Sequence, residues 1–493
     1  MNDISKKFIE CYNSGKPQLL WKFIVADLET PVSALIKLTK NKNYNFLLES
    51  VEGGENRGRY SAIGINPDLI WRCKNGLSET AIPKKNNVKF VKNKEQPLNS
   101  LRSLINDSTI EIPKNLPPLS AGLFGYIGYD MISYFENIKI KNSDPLNLPE
   151  TILIRPSLIC IFDRLKDEFI LITPIRPTSN STAQEAWENG QKIITNAVGE
   201  LNMGLDHSNL PVRKELKQDN NAPSNLKKSE FFNSVEKAKE YIKSGDVYQV
   251  VLSQRFEVPF KKSSISFYRS LRRLNPSPFL FHFNFGDFFV VGSSPEILVR
   301  LRNNECTIRP IAGTRPRGKD KVEDSKLKKE LLKDPKERAE HLMLLDLGRN
   351  DVGRVSKPGT VEVSESFSVE MYSHVMHIES EVKGELRDGL DSLDALIAGF
   401  PAGTVSGAPK IRAMEIIEEL ETERRGVYSG AVGYFSASGD LDTCIALRTG
   451  IIKDEKLYVQ AGGGIVHDST NEGEELETRN KAKALIRAAE LAE

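Results

Sequence analysis

Short apolar runs separated by turn residues dominate the first part of the chain. These runs are apolar throughout or alternate apolar with polar side chains, and clusters of Gly, Pro and Asn bound them. They lie at 46–50 (FLLES), 60–65 (YSAIGI), 69–73 (LIWRC), 121–130 (AGLFGYIGYD) and 153–164 (LIRPSLICIFDR). The pattern predicts antiparallel strands, so the segment up to about residue 175 is predicted to be rich in β-structure.

A helical pattern over 183–201 precedes the most linker-like stretch of the chain. Residues 205–230 carry two prolines and almost no large apolar side chains. Such a composition is typical of a linker between domains. We therefore predict two regions on either side of this stretch, residues 18–175 and residues 228–490.

The second region mixes helices and strands without regular alternation. A helix over 231–245 ends at Gly245, a residue type favoured at helix C-termini. The patterns that follow predict strands at 246–258 and 279–294, a charged helical region at about 322–347, a strand at 368–382, two further strands and a final helix. Because these elements do not form successive βαβ units, an α+β fold is favoured over a doubly wound parallel sheet.

Composition narrows the class of protein. The 493 residues include 68 Lys and Arg against 67 Asp and Glu, a formal net charge of +1, which argues against the extended basic surface of a nucleic-acid binder. Hydrophobic residues make up 39% and charged residues 27%, a balance typical of a globular protein rather than a disordered one.

The N-terminal residues and the cysteines indicate the compartment. The N-terminus lacks the apolar core of a signal peptide, and no apolar run approaches the ~20 residues of a membrane span. The cysteines are odd in number, far apart in sequence and without a C-x-x-C pair; they are Cys11, Cys73, Cys160, Cys306 and Cys444. We therefore expect a cytoplasmic protein with reduced thiols, not a disulfide framework or a zinc site.

Two acidic helices are the first candidates for chemistry. Glu474, Glu477 and Lys481 share one stripe of the final helix, while Leu476, Leu485 and Ile486 are predicted to supply its core face. Two carboxylates one turn apart suit a hard cation such as Mg²⁺. In isolation, a solvated acidic face is the commoner interpretation. The strand before this helix ends in Gly462, Gly463 and Gly464, whose backbone N–H groups can hold a carboxylate, although a tight turn is the simpler reading.

The second acidic helix begins with a capping pattern. Asp334 is predicted as its N-cap, Pro335 as its first residue, and Glu337 completes the start. Glu340 follows one turn later, beside His341. Without other support, this segment would be read as a surface helix with salt bridges.

Other polar residues occur where a small anion could bind. In 310–318 (PIAGTRPRG), Gly313 and Thr314 adjoin two arginines. Alternation in the strand predicted at 368–382 places His377 on a mostly apolar face, where an imidazole is more often a satisfied core residue. Pro409 is predicted as a first helical residue, which makes Ser406 and Gly407 part of a helix N-terminus. Arg448 is predicted as a buried strand arginine and a carboxylate clamp.

Together these motifs resemble one family. The order of the strings matches that of the chorismate-utilising enzymes; they are PIAGTRPRG, EHLMLLDLGRNDVGRV, SHVMHIES, FPAGTVSGAPK, YSGAVGYF, ALRTG, AGGGIVHDS and ETRNKA. The likeness covers about residues 228–490 and is specific. In the first region, FLLESVEGGENRGRYSAIG resembles the N-terminal domain of the anthranilate synthase component I branch of that family.

The resemblance implies a fold, a reaction and partners. The fold would be large antiparallel β-sheets in an orthogonal sandwich flanked by helices. The reaction would be a lyase step of tryptophan biosynthesis: chorismate and ammonia give anthranilate and pyruvate, with Mg²⁺ as cofactor. A separate glutamine amidotransferase subunit would supply the ammonia, and tryptophan would inhibit by feedback. No nucleic-acid or membrane partner is expected.

The resemblance also implies roles for individual residues. Glu340 and Glu477 would bind Mg²⁺, supported by Glu474. The implied catalytic residues are His377, Glu296 and Thr314. The implied chorismate-binding residues are Gly313, Thr314, Tyr428, Arg448, Gly462, Gly463, Gly464 and Lys481. The implied tryptophan site comprises Glu49, Ser50, Asn275, Pro276, Pro278, Phe279 and Leu280.

Two positions distinguish the relatives from one another. Isochorismate and salicylate synthases resemble this chain but place a water-activating lysine where it has Gln249. Aminodeoxychorismate synthases commonly place a nucleophilic lysine where it has Ala312. Both differences favour ammonia attack and anthranilate. An aminodeoxychorismate synthase without that lysine, or a tryptophan-sensing protein that has lost catalysis, are the alternatives.

Overall fold

The computed structural model describes residues 3–50, 58–83, 88–205, 222–372 and 375–492. Within these ranges the helices are α1 Asp3–Asn13, α2 Pro31–Leu38, α3 Pro97–Asp107, α4 Ile132–Phe135, α5 Ala183–Leu201, α6 Lys228–Lys243, α7 Ser264–Leu274, α8 Lys321–Lys333, α9 Pro335–Gly353, α10 Ser392–Gly399, α11 Lys410–Leu420 and α12 Asn471–Leu491.

The strands of the first region are β1 Gln18–Val25, β2 Asn45–Glu49, β3 Tyr60–Lys74, β4 Leu77–Ala81, β5 Val91–Lys92, β6 Gly122–Ile127, β7 Thr151–Asp163 and β8 Glu168–Ile175. Those of the second are β9 Gln249–Pro259, β10 Phe279–Asn284, β11 Phe289–Ser294, β12 Ile297–Arg302, β13 Glu305–Ile308, β14 Ile311–Pro316, β15 Glu362–Met371, β16 Val375–Glu385, β17 Gly407–Ala408, β18 Ala431–Ser436, β19 Leu441–Ile445, β20 Thr449–Lys453 and β21 Lys456–Ile465.

The strands form one antiparallel network that spans both regions. β2 pairs with β10, and β6 pairs with β18, so strands from residues 18–175 are hydrogen-bonded to strands from residues 228–490. The inner faces of these strands bury an aromatic and aliphatic core that includes Phe46, Phe124 and Phe283. The antiparallel α+β class predicted from the sequence is confirmed.

Several predicted boundaries differ from the observed ones for local reasons. The runs at 60–65 and 69–73 belong to the single strand β3, whose register against β7 shifts between Pro67 and Leu69; proline lacks the N–H that an unbroken ladder would use. The segment 279–294 is a hairpin, β10 and β11, rather than one strand. The first region also contains the helices α2, α3 and α4, and α1 precedes it; the turn-rich pattern revealed none of these helices.

The charged helical region predicted at about 322–347 consists of two helices, α8 and α9. The cap prediction is confirmed, since the Asp334 side chain accepts hydrogen bonds from the N–H groups of Lys336 at 2.9 Å and Glu337 at 3.3 Å. Pro335 explains the break, because the residue before a proline is displaced from the helical region. A similar small shift occurs at α11, where Pro409 is the N-cap rather than the first helical residue.

The strand predicted at 368–382 is also wrong as one element. β15 and β16 form an antiparallel pair in which Met371 lies opposite Met376. Residues 373–374 lie outside the described residues, as do 206–221 of the predicted linker. Among the helices that the structure describes, none is long and apolar enough to cross a membrane.

Candidate active site

The end of β21 and the first turns of α12 form one wall of a polar cleft. Lys481 Nζ lies 2.7 Å from Glu477 Oε1 and donates to the backbone oxygen of Gly462 at 2.9 Å. Glu474 is buried, and its Oε2 has no hydrogen-bond partner in the described structure. A Cβ on Gly463 would lie 2.5 Å from that oxygen. A glycine is therefore needed there for the carboxylate to approach the strand.

One expectation for α12 is wrong. Leu476 is 57% exposed, whereas Leu485 and Ile486 are buried as predicted. Leu476 lies beside Glu477 on the cleft side of the helix and lines the cleft with it.

Glu340 on α9 lies close enough to Glu477 and Lys481 for their charges to act on its carboxyl. Gln249, the first residue of β9, donates from Nε2 to Glu340 Oε1 at 3.4 Å, and its own Oε1 is buried with no partner in the described structure. Burial raises the pKa of Glu340, and the neighbouring carboxylates of Glu337 and Glu477 raise it further. Burial likewise raises the pKa of Glu474. The site thus gathers carboxylates that lack sufficient positive charge of their own.

These acidic residues fit a divalent cation. The unpartnered oxygen of Glu474 and the mutual repulsion of Glu340 and Glu477 would both be relieved by a positive ion. Within the described ranges, no group of three or more His, Cys, Asp or Glu residues has the spacing of a complete metal site. Mg²⁺ commonly takes only one or two protein carboxylates and completes its shell with substrate and water.

Arg448 and Tyr428 form the next part of the cleft. Arg448 lies between β19 and β20 at a φ of 47°, so it is a connecting residue and not the strand residue predicted from its surroundings. Its guanidinium has no ion-pair partner among the described residues, and it lines, with Glu477 and Lys481, a cavity of about 370 Å³. Tyr428 is buried, and its hydroxyl oxygen lies close to Gly462. A Cβ built on that glycine would be 2.7 Å from it. A half-buried, unpaired guanidinium is suited to bind a ligand carboxylate.

The three glycines present backbone groups on this side. β21 pairs with β9 through Gly462, Gly463 and Gly464, but its pairing with β20 ends at Val459. One edge of the glycine stretch therefore has no strand beside it. Gly462 and Gly463 are themselves buried, and the role of their backbone N–H groups in holding a carboxylate stays a prediction.

His377 on β16 contacts Gly313 and Thr314 on β14. Its Nδ1 lies 3.1 Å from the Gly313 oxygen and 3.0 Å from Thr314 Oγ1. Because a carbonyl only accepts, Nδ1 carries the proton, which leaves a lone pair on Nε2. Burial lowers the pKa of His377, and the positive charge of Arg448 lowers it further. At neutral pH the imidazole is therefore uncharged and able to accept a proton. Gly313, at a φ of 77°, produces the irregular register that places its oxygen there.

Glu296 lies at the junction of β11 and β12 and is buried. It accepts a hydrogen bond from Thr404 Oγ1 at 3.0 Å. Burial raises the pKa of its carboxyl to about 8. No described contact joins Glu296 directly to His377 or Thr314, so the structure does not bring all three implied catalytic residues into one hydrogen-bonded group. Thr404 was not singled out from the sequence, although it lies within the quoted string FPAGTVSGAPK.

The residues of the implied tryptophan site line a separate cavity of about 740 Å³. It is lined by Glu49, Ser50, Pro276, Pro278, Phe279 and Leu280. Asn275, the seventh, is not in its wall and donates from Nδ2 towards Ser293 Oγ at 3.4 Å. β2 and β10 pair Glu49 with Leu280, which explains how strings far apart in sequence meet.

Sequence reasoning missed the rest of this cavity's wall. Arg300 and Arg302 from β12, with Tyr372 and Glu379 from the segment around β16, also line it. Glu379 lies within the quoted string SHVMHIES, but neither it nor the other three residues was assigned to the tryptophan site. Predicting that they line the cavity would have required knowing which strands pair.

Comparison with known proteins gives the class to which these features belong. Residues 45–487 match the family model described as chorismate binding enzyme. This chain belongs to that family. It is 51% identical to anthranilate synthase component 1 of Cereibacter sphaeroides over 489 residues, 98% of this chain and 97% of the relative. It is 47% identical to the protein of the same name from Aquifex aeolicus, covering 96% of this chain and 95% of that one.

A solved structure gives the same picture. The crystal structure of anthranilate synthase component I from Streptococcus pneumoniae superposes with a TM-score of 0.76 at 37% identity, covering 94% of this chain and 99% of that chain. The similarity extends across both predicted regions.

Proposed function

We propose that this chain is the chorismate-converting component of an anthranilate synthase, a lyase that forms anthranilate and pyruvate from chorismate and ammonia. The observation that carries the proposal is Gln249: its buried Oε1 lacks a partner in the described structure, and its Nε2 contacts Glu340. An amide oxygen can accept a hydrogen bond from ammonia but cannot remove a proton from water. The names of the relatives support the same reaction.

Substrate binding would use the charged side chains of the cleft. Arg448, with Tyr428 and the backbone of Gly462–Gly464, would hold the carboxylate of the enolpyruvyl group, and Lys481 would add positive charge nearby. Glu340 and Glu477, supported by Glu474, would hold Mg²⁺. When bound, the ion neutralises and orients the ring carboxylate.

Loss of the ring hydroxyl requires an acid, a role that Glu296 fits. With its pKa raised to about 8, the carboxyl is protonated at neutral pH. As ammonia attacks ring carbon 2, the bond from carbon 4 to its hydroxyl breaks, and the Glu296 proton leaves with the hydroxyl as water. Thr404 holds the carboxyl through its hydroxyl hydrogen.

Elimination of the enolpyruvyl group requires a base, a role that His377 fits. Its Nδ1 proton is engaged by the Gly313 oxygen and Thr314 Oγ1, so Nε2 can accept the proton from carbon 2. As that proton leaves, the ring becomes aromatic and the bond to the enolpyruvyl oxygen breaks. Thr314 and Gly313 position the imidazole beside the ring.

A partner and a regulator complete the proposal. A separate glutamine amidotransferase subunit would deliver ammonia, and the chain alone would use free ammonia at raised pH, since ammonium is not nucleophilic. Tryptophan would inhibit by binding in the 740 Å³ cavity, whose wall includes the apolar Phe279 and Leu280 and the charged Arg302.

A fluorescence assay tests the activity. Purified chain is mixed with chorismate, Mg²⁺ and an ammonium salt, and anthranilate emission is followed. We expect anthranilate without any second enzyme. A non-aromatic amino product that needs an added lyase would make the chain an aminodeoxychorismate synthase instead, and binding of tryptophan without turnover of chorismate would make it a sensor.

A further inference from the structure

We propose that the tryptophan cavity and the active site share a wall, and that Tyr372 transmits occupancy of the cavity to His377. The inference rests on the proposed function, because it concerns how that activity is regulated. Here the 740 Å³ cavity is called the regulatory cavity.

Tyr372 belongs to both sites. It lines the regulatory cavity, and its ring meets the ring of His377 edge-on, with centroids 5.4 Å apart and an angle of 68°. Its backbone is fixed on both sides: its N–H donates to the Val375 oxygen at 2.8 Å, and its oxygen accepts from Arg317 Nη1 at 2.6 Å. A ligand that displaces the Tyr372 side chain therefore acts directly on the imidazole.

A second stretch of the wall reaches Glu296. Pro295 and Ile297 line the regulatory cavity, whereas Glu296 between them contacts Thr404 instead. Alternate residues of an extended segment face opposite sides, so this segment separates the cavity from the acid.

The strand β16 connects the two contacts. Glu379 lines the regulatory cavity two residues after His377, and Arg309 Nε lies 3.0 Å from its Oε1. The charge of Glu379 contributes to the raised pKa of Glu296. Both groups proposed to move protons thus adjoin residues of the cavity wall.

The arrangement has a consequence for catalysis. The Gly313 oxygen and Thr314 hold only Nδ1 of His377, so the tilt of the ring, and with it the direction of Nε2, depends on what packs against its face. A misplacement of about 1 Å can cost on the order of a hundredfold in rate. Tryptophan would inhibit by favouring a position of Tyr372 in which Nε2 no longer points at carbon 2.

Three variants of the full chain test this. Tyr372→Leu removes the ring, Tyr372→Phe keeps it, and Met371→Ala alters a neighbouring wall residue with no described contact to His377. Tryptophan binding is measured by equilibrium dialysis, and anthranilate formation is measured at saturating tryptophan and without it.

The expected results separate binding from its transmission. Tyr372→Leu binds tryptophan yet keeps most of its own uninhibited rate at saturation, because the coupling between the sites is lost. Its uninhibited kcat falls with KM unchanged, as expected for a residue that positions His377. Tyr372→Phe remains fully inhibited. Met371→Ala needs more tryptophan but is fully inhibited at saturation.

Several results would overturn the inference. Full inhibition of Tyr372→Leu at saturating tryptophan is one, and escape of Tyr372→Phe from inhibition is another. Should Tyr372→Leu not fold, NMR of the unsubstituted chain decides: an imidazole signal, assigned by its loss in His377→Gln, must shift when tryptophan is added, and an unmoved signal refutes the coupling. A chain that forms no anthranilate refutes the proposed function and this inference with it.

Discussion

The catalytic cleft and the regulatory cavity differ in how their charged side chains are paired. In the cleft, the Arg448 guanidinium has no ion pair and Glu474 Oε2 has no hydrogen-bond partner within the described residues. In the cavity, Glu49 is fully engaged: it accepts from Tyr268 at 2.6 Å and from Arg272 at 3.0 Å. Buried charges are costly unless they are paired. The cleft therefore fits the charged ligand and the cation proposed for it, whereas Glu49 in the cavity wall already has its partners.

The sharpest test on the cleft side is Glu296→Gln. The amide cannot release a proton, so loss of the ring hydroxyl should be slowed by about 10²–10⁴ in kcat, the usual contribution of a general acid. The readout is steady-state anthranilate formation with ammonia. Glu296→Asp is the control and should retain part of the rate. A glutamine variant with the normal kcat would remove Glu296 from the mechanism.

Arg448→Lys tests whether Arg448 binds the carboxylate of the enolpyruvyl group. The charge remains but the planar pair of donors is lost, so KM for chorismate should rise by about 10- to 100-fold. The variant Arg349→Lys serves as a comparison, because Arg349 is an exposed side chain whose ion pair, among the described residues, is with Asp346. If both variants bind chorismate equally well, Arg448 is not a substrate ligand.

Glu340→Gln tests the cation site. Removing one carboxylate should raise the Mg²⁺ concentration that gives half-maximal rate by about tenfold or more, each factor of ten being 1.4 kcal/mol. Magnesium titrations of anthranilate formation measure it. The same half-maximal concentration in the variant would contradict the assignment of Glu340 as a ligand.

The pH profile of the unsubstituted chain tests the same acid without a mutation. Because the pKa of Glu296 is raised to about 8, its protonated form predominates below that pH and is lost as the pH rises above it. With free ammonia held constant, the rate should fall about tenfold per pH unit above pH 8. A rate that stays level to pH 10 would show that no such group is required.

Ser50→Phe changes the cavity and should leave the cleft alone. Ser50 lines the regulatory cavity, so the larger ring occupies space that tryptophan would need. The expected result is loss of tryptophan inhibition with anthranilate formation in place, measured as rate against tryptophan concentration. Ser50→Ala should stay sensitive. Unchanged inhibition of Ser50→Phe would place the tryptophan site elsewhere.

The two sites also differ in how far the sequence predicted them. Local signals succeeded where one residue fixes the backbone: Asp334 and Pro335 set the start of α9, and through it the place of Glu340. Local signals failed where alternation continues from one strand into the next, as from β15 to β16, because the pattern of side chains does not show that the two strands run antiparallel. Arg448 was misplaced for a similar reason, since nothing in its string shows the positive φ.

Long-range pairing accounts for the remainder. The hydrogen-bond partners of Glu49 come from α7 and from Arg164, more than a hundred residues away in the sequence. No local pattern predicts those contacts. Resemblance to a family indicated six residues of the cavity wall by their strings. Only the fold placed Tyr372 and Glu379 in the same wall, although Glu379 lies within the quoted string SHVMHIES.

The proposed reaction joins ammonia to chorismate and expels pyruvate. The most direct measurement supplies ¹⁵N-labelled ammonium with chorismate and Mg²⁺ and identifies the products by mass spectrometry. We expect ¹⁵N-labelled anthranilate and an equal amount of pyruvate, with no second enzyme present. An unlabelled hydroxylated product, or a labelled product that still carries the enolpyruvyl group, would contradict it.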